Sequence, residues 1–501
     1  MSVEAPATVV APTRTLPPIA WRWVGSAMAA LAVALSATSN AYGFERDELY
    51  FRMLHPAWGY VDQSPLTPLL AQLAARLSGS PWVERVPATA CAVLSVLVLV
   101  LITRELSGGA GAQGLCAWAY AFASIPLAFG HVLLTATLDL VVWPLACLFA
   151  IRALHRAEPR WWLATGLVVG LSTYNKLLIV LLVVAVLGGL LISGPRRALL
   201  TRWILLAAAL ALLLAVPNLV YQAAHGWPEL AESQALRNKN AGSVRVQMWP
   251  YLLILLGPPL APIWIAGLVA LRRRPQWRAL RWLPTAFAVV LVETFLAGGQ
   301  FYYPIGLLAV VFAAGCVPAA EFLARSHVWR RVAQVAIALN AAVSAVLALP
   351  LVPTSVLADT PIPALNKTVQ DQVGWPDYVA EIAAVYRTVP PADRPRTVLI
   401  ATNYGEAGAL VRYGPALGLP LPYSAHNALY VQRRPPAGAR IVIMIGAQYP
   451  DVRGDFAGCR VAGRLRNAAG VDNEEQGLPI AICRDPRLPW PALWPAFRHY
   501  G

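Results

Sequence analysis

Apolar residues in this chain gather in blocks of about twenty, the length that crosses a hydrocarbon core as a helix. Eleven such blocks lie near 24–41, 86–103, 112–130, 133–151, 161–175, 177–193, 203–221, 250–271, 282–297, 304–321 and 332–351. The fifth is short and polar at its end, so the number of spans falls between ten and twelve. Two polar connections are long, 42–85 and 222–249. After Pro353 the pattern changes. Thr397–Ala401 and Arg440–Gly446 are short β-branched apolar runs that end in turn residues, and Gly374–Arg387 and Glu406–Tyr413 read as helices. The fold class predicted is a polytopic α-helical membrane protein with a C-terminal α/β domain. The membrane domain covers 1–352, with a large first external loop over 42–85, and the second domain covers 353–501.

Composition agrees with a membrane protein. Of 501 residues 58% are hydrophobic and 13% charged, against about a quarter charged in soluble domains. The net charge of +15 would suggest nucleic acid in a soluble chain. Here the arginines sit in short connections between spans, which argues against that partner. Arg14 and Arg22 precede the first span, and every second connection is basic, from Arg104 through Arg152, Arg196, Arg272 and Arg325 onward. The positive-inside rule then puts the N-terminus in the cytoplasm, and the 42–85 loop, the 222–249 loop and the C-terminal domain outside. Residues 36–42 resemble a signal-peptide cleavage site, but the first segment is read as a retained anchor. Cys91, Cys116, Cys147 and Cys316 fall in spans and read as packing residues. Cys459 and Cys483 lie where a disulfide is permitted, and sequence leaves their pairing open. No CxxC, HExxH or Walker-type string occurs, and no carboxylate or imidazole cluster has metal-site spacing, so no metal or nucleotide cofactor is predicted.

The candidate chemistry begins at Glu45-Arg46-Asp47-Glu48, directly after the first span. Acids at a membrane edge are rarely placed without a use. Asp139, just inside the fourth span, is a second intramembrane acid; the bland alternative is a structural Asp bonded to Thr135 or Thr137. For Asp47 and Glu48 the alternative is capping of a loop helix that begins near Leu49. Among the candidate cations, Lys176 is one of three lysines, and Arg237, Lys239 and Arg245 crowd the second long loop. Snorkelling or contact with anionic head groups would also account for them. Tyr302 and Tyr303 face the same side, as a phosphate contact or an interfacial aromatic belt. His55, Trp58, Tyr60, Asp62 and Gln63 combine rings and hydrogen-bonding groups suited to a sugar.

The strings GFERDELYF, GYVDQSPLTPLLAQL, HVLLTATLDL, Asn175-Lys176, QAAHGWP and NYGEAGALVRYGP together resemble bacterial family-39-type membrane glycosyltransferases. These belong to the C-type superfamily, with the protein O-mannosyltransferases and the lipid A aminoarabinose transferase. The resemblance runs over nearly the whole chain and is strongest in the first 350 residues. It implies an enzyme of a bacterial plasma membrane that moves a hexosyl or pentosyl group from a polyprenyl-phosphate donor to an envelope glycan, lipid or protein at the external face. Asp47 matches the acid that the family uses as base, with Glu48 and Asp139 as further catalytic candidates. The departing lipid phosphate needs cations more than a proton, so one base and a phosphate clamp suffice for a single inverting displacement. The competing reading is a multi-span lipid or sugar transporter, which the absence of paired broken segments disfavours.

Overall fold

The computed structural model describes residues 16–500, so Arg14 lies outside the described residues. Each apolar block falls on helix. The first is α1 (Trp21–Thr38); α2 (Arg46–Met53) and α3 (Leu66–Leu77) then occupy the first loop, and α4 (Pro81–Glu105) carries the second block. Next come α5 (Ala110–Ala121), α6 (Ser124–His131), α7 (Thr135–His155), α8 (Trp161–Ser172), α9 (Ile179–Ile192) and α10 (Arg202–Ala224). The helical part ends with α11 (Pro228–Ile254), α12 (Ala261–Arg273), α13 (Trp282–Ala297), α14 (Ile305–Ala324) and α15 (His327–Ala348).

Among the described residues six helices are long and apolar enough to cross a membrane singly, and up to eight spans result if each of two bent pairs counts as one. α5 and α6 meet at 54°, and Pro228–Ile254 meets Pro258–Arg273 at 71°. The second bend has a local cause: Gly257 sits at φ +100°, and Pro258 and Pro259 supply no amide to continue the ladder. α8 and α9 have only 12 and 14 residues, so length and composition do not yield the eleven crossings read from sequence.

The second long connection is where the structure departs most from the sequence reading. Residues 228–249 are not a loop but the first six turns of α11. Glu, Ala, Leu, Gln and Arg dominate Pro228–Arg237, all good helix formers whose low hydropathy hid the element. Gly226 and Trp227 both take positive φ, reversing the chain out of α10, and Pro228 then starts the new helix at its first turn.

Three single-turn helices, α16 (Thr354–Leu357), α17 (Ile362–Leu365) and α18 (Lys367–Gln370), lead into α19 (Trp375–Arg387). A four-stranded mixed sheet follows, with β1 (Thr397–Ala401), β2 (Ile441–Ile445), β3 (Phe456–Arg464) and β4 (Pro479–Pro486) in the order β1-β2-β4-β3. β1 and β2 run parallel and are buried along their whole length, as their unbroken apolar runs require. β4 is antiparallel to both neighbours, and Cys459 and Cys483 are bonded where β3 faces β4. α20 (Tyr404–Tyr413) follows β1 after a capping box between Asn403 and Glu406.

One apolar core joins the first loop to this sheet. Phe44, Leu49, Tyr50 and Phe51 pack with Trp375, Leu399, Ala407 and Ile443. At the centre of the contact a Cβ on Gly408 would come within 2.6 Å of the Leu49 carbonyl oxygen, so α20 can approach α2 this closely only through a glycine. A separate, larger core fills the helical part.

Candidate active site

α2 is held at both ends of its first turn. Glu45 is the N-cap and accepts the Asp47 amide at 2.6 Å, while the Glu45 amide donates to Glu48 Oε2 at 2.8 Å. The capping role therefore belongs to Glu45 and Glu48. The Asp47 carboxylate takes no part in the cap, and its Oδ1 accepts the Tyr404 hydroxyl at 2.9 Å. Burial pushes the Asp47 carboxyl up, against the opposing effects of the Tyr404 bond and the Arg46, Lys367 and Lys176 charges. Arg46 lies over the Tyr404 ring at 4.8 Å and pairs with Glu474.

Asp47 lines a cavity of about 760 Å³. The cavity also takes in Asp62, Gln63, Lys176, Arg237, Tyr302 and Tyr303, so seven residues singled out in the sequence meet in one place. Lys176 projects from the turn between α8 and α9, which a buried polar network fixes. Thr67 Oγ1 donates to Asn175 Oδ1 at 2.7 Å, Asn175 Nδ2 to the Thr135 carbonyl at 2.9 Å, and Asn218 Nδ2 to the Thr173 carbonyl at 2.6 Å. The Lys176 ammonium stands 5.4 Å from the Tyr303 ring centroid. Burial opposes its charge, but Tyr303, Tyr302, Asp139 and Asp47 outweigh that and keep it firmly protonated. Leu177, Val180, Leu181 and Leu230 extend the cavity along α9 and α11, where Val180 and Leu230 are more than half exposed.

Other sequence candidates are placed elsewhere. Glu48 does not line the cavity: it is fully buried against Arg85 at 2.9 Å and accepts the Leu133 amide at 3.0 Å. Tyr60 donates to the His55 carbonyl and accepts from Gln72, while His55 and Trp58 are exposed on the outer side of the loop. Arg245 turns away to the Phe295 carbonyl at 3.1 Å, and Lys239 is exposed on α11 outside the lining. Asp139 also lies outside the lining, although its charge reaches Lys176. Thr137 is occupied by the Phe129 and Val132 carbonyls, and among the described residues no hydrogen bond joins it or Thr135 to Asp139. Among the described residues no group of three or more His, Cys, Asp or Glu side chains is placed to hold a metal ion.

Sequence reasoning missed Tyr404, Asn427, Glu229 and Glu232 as lining residues. Tyr404 had a signal, since it lies in the NYGEAGALVRYGP string at a strand-to-helix turn. It gives a direct test. Tyr404→Phe removes a bond to a charged acceptor, worth about 1.5–3 kcal/mol, so turnover should fall roughly tenfold or more while donor KM holds. Because that bond lowers the Asp47 pKa, the acid limb of the rate profile should also move to higher pH; an unmoved limb would make Tyr404 only a packing residue.

The sequence family described as dolichyl-phosphate-mannose-protein mannosyltransferase matches residues 62–221. In structure the chain is similar to ArnT from Cupriavidus metallidurans bound to undecaprenyl phosphate, with a TM-score of 0.58 at 15% identity over 92% of this chain and 98% of that one. The apo state of ArnT from the same organism gives 0.53 at 16% identity, over 93% and 98%. No curated protein matches the sequence. The chain has the C-type membrane glycosyltransferase fold. The resemblance read from its sequence strings is upheld at the level of the fold, and the apolar helices agree with a multi-pass membrane protein. Both ArnT states match over nearly their full length, so the similarity takes in the C-terminal α/β part as well as the helices.

Proposed function

We propose that the protein transfers a sugar from a polyprenyl-phosphate donor to an envelope acceptor at the outer face of a bacterial plasma membrane, with inversion at the anomeric carbon. The observation that carries this reading is the composition of this cavity. It combines a half-buried carboxylate, a fixed ammonium within electrostatic reach of it, and exposed aliphatic side chains on α9 and α11. A lipid-phosphate sugar offers a complementary set: a sugar carbon at which an acceptor reacts, an anionic phosphate and a hydrocarbon chain.

In this arrangement the polyprenyl chain lies against Leu177, Val180, Leu181 and Leu230, and its phosphate meets Lys176 and Arg237, with Tyr302 or Tyr303 as a hydroxyl donor. Asp47 takes the proton of the acceptor hydroxyl as that oxygen bonds to the anomeric carbon. The bond from that carbon to the phosphate oxygen breaks, and the lipid phosphate departs as an anion that Lys176 stabilises. Desolvation of Asp47 makes it a stronger base than an exposed aspartate. That ArnT carries undecaprenyl phosphate in its structure supports a donor of this class. The domain boundary near residue 353 and an external C-terminal domain fit the same picture, because Tyr404 must reach Asp47 on the donor's side of the membrane.

The test is transfer by purified protein from a panel of polyprenyl-phosphate sugars to native envelope acceptors. Lys176→Ala should raise donor KM on the order of 30-fold, the cost of about 2 kcal/mol for truncating one partner of a desolvated charge pair. A donor KM within twofold of wild type would remove Lys176 from the phosphate site.

A further inference from the structure

The cavity lining also holds polar side chains that the proposed donor contacts do not use. Asp62 is oriented by two hydrogen bonds, from the Tyr50 hydroxyl at 3.1 Å to Oδ1 and from Asn427 Nδ2 at 3.1 Å to Oδ2. Each oxygen keeps a lone pair. Glu232 of α11 is 8% exposed, and its Oε2 has no hydrogen-bond partner. Gln63 is 7% exposed, and its amide Nε2 has none either. All three line the cavity. Buried polar atoms are nearly always satisfied in a native fold, so Glu232 Oε2 and Gln63 Nε2 are available to bond a ligand in the cavity.

Their chemistry narrows that ligand. A phosphate is repelled by two carboxylates, and the lipid phosphate already has Lys176. Asp47 feels the charge of Lys176, whereas Asp62 feels that of Glu232, so the two carboxylates stand in different electrostatic surroundings. Burial, with Glu232 beside it, raises Asp62 to about 7, so near neutrality the pair holds both accepting and donating oxygens. Adjacent hydroxyls on a sugar ring offer donors and acceptors together. Trp227, 47% exposed in the same lining, adds a flat apolar face of the kind a ring stacks on.

We infer that Asp62, Gln63 and Glu232 form an acceptor subsite for a sugar ring with free hydroxyls, which makes the acceptor a glycan or glycolipid rather than a protein side chain. This rests on the glycosyltransferase reading of the same cavity. The two can fail separately.

The experiment uses the full chain in lipid nanodiscs free of sugar-headed detergent. Four probes are titrated separately: octyl β-glucoside, octylamine, octanol and undecaprenyl phosphate. Expected is saturable binding of octyl β-glucoside, with octylamine and octanol at least tenfold weaker. Glu232→Gln and Gln63→Met should each weaken octyl β-glucoside about tenfold and leave undecaprenyl phosphate within twofold. Either variant showing this pattern in a folded sample supports the subsite. Octylamine binding as tightly as the glucoside would mean a cation site and overturn the inference. Glucoside affinity unchanged in both variants, with the carrier still bound, would overturn it while the donor reading survives. Glucoside binding that depends on Glu232, with no binding of the carrier to wild type, would uphold the sugar subsite and sink the donor reading.

Discussion

Asp47→Asn should lower the transfer rate about 10²- to 10⁴-fold, the range that a positioned general base contributes, and leave donor KM nearly unchanged. The change is close to isosteric, and the amide can still meet the Tyr404 hydroxyl through its carbonyl oxygen, so α2 and α20 stay in contact. What it removes is the ability to accept the hydroxyl proton. Near-normal turnover by a folded Asn variant would make Asp47 a structural residue and shift attention to Asp139, another acid whose charge reaches Lys176.

The same residue sets the pH dependence, and its direction follows from its environment. The base works only when ionised. Burial raises the Asp47 pKa above the ordinary aspartate value of about 3.9, and the Tyr404 bond and the nearby cations only partly offset this. Wild-type activity should therefore fall as pH drops through a value above the usual carboxylate range. The residual activity of the Asn variant should lack that limb. A pH–rate profile of kcat on both proteins decides it.

How much of this site can be read from sequence depends on how local each relationship is. Helix positions follow from hydropathy, and the buried strands β1 and β2 from unbroken apolar runs, because those signals act within a window of residues. Asp47, Lys176 and Tyr303 stand out because polar groups are scarce at a membrane face. Tyr60 and Trp58 illustrate the limit. They sit beside Asp62 in sequence, but the loop has no fixed periodicity, and only the fold shows that Tyr60 turns to His55 and Gln72. Glu232 was hidden in what read as a loop, and Asn427 meets Asp62 across 365 positions of sequence. Arg85 had a signal that was passed over. It stands directly before the second apolar block, and a charge at the edge of a span asks for a partner.

Arg85→Met should be the most damaging substitution for the fold, costing about 3–5 kcal/mol, the range for breaking a buried pair by removing one partner. Arg85 is fully buried on α4 and gathers four parts of the chain. It donates to the Ser39 carbonyl after α1 at 2.7 Å, to the Gly43 carbonyl at 2.8 Å, to Glu48 of α2 at 2.9 Å, and to Gln372 Oε1 before α19 at 3.2 Å. Removing the guanidinium leaves Glu48 charged and without a counter-ion, and frees the first loop from the helix beneath it. Glu48→Gln should be milder, since it keeps the side chain's volume, one oxygen that still accepts either the Glu45 or the Leu133 amide, and the Ser39 and Gly43 carbonyls that Arg85 donates to. The expected order in thermal unfolding is therefore wild type, then Glu48→Gln, then Arg85→Met, with donor KM of the folded Gln variant close to wild type. Glu48→Gln that unfolds like wild type but has lost turnover would reverse the assignment, placing Glu48 in the chemistry instead of beneath it. The distinction matters because Asp47 and Glu48 are adjacent in sequence and one turn of helix sends them in different directions: one carboxylate to the cavity, the other to the ion pair that holds the cavity's wall in place.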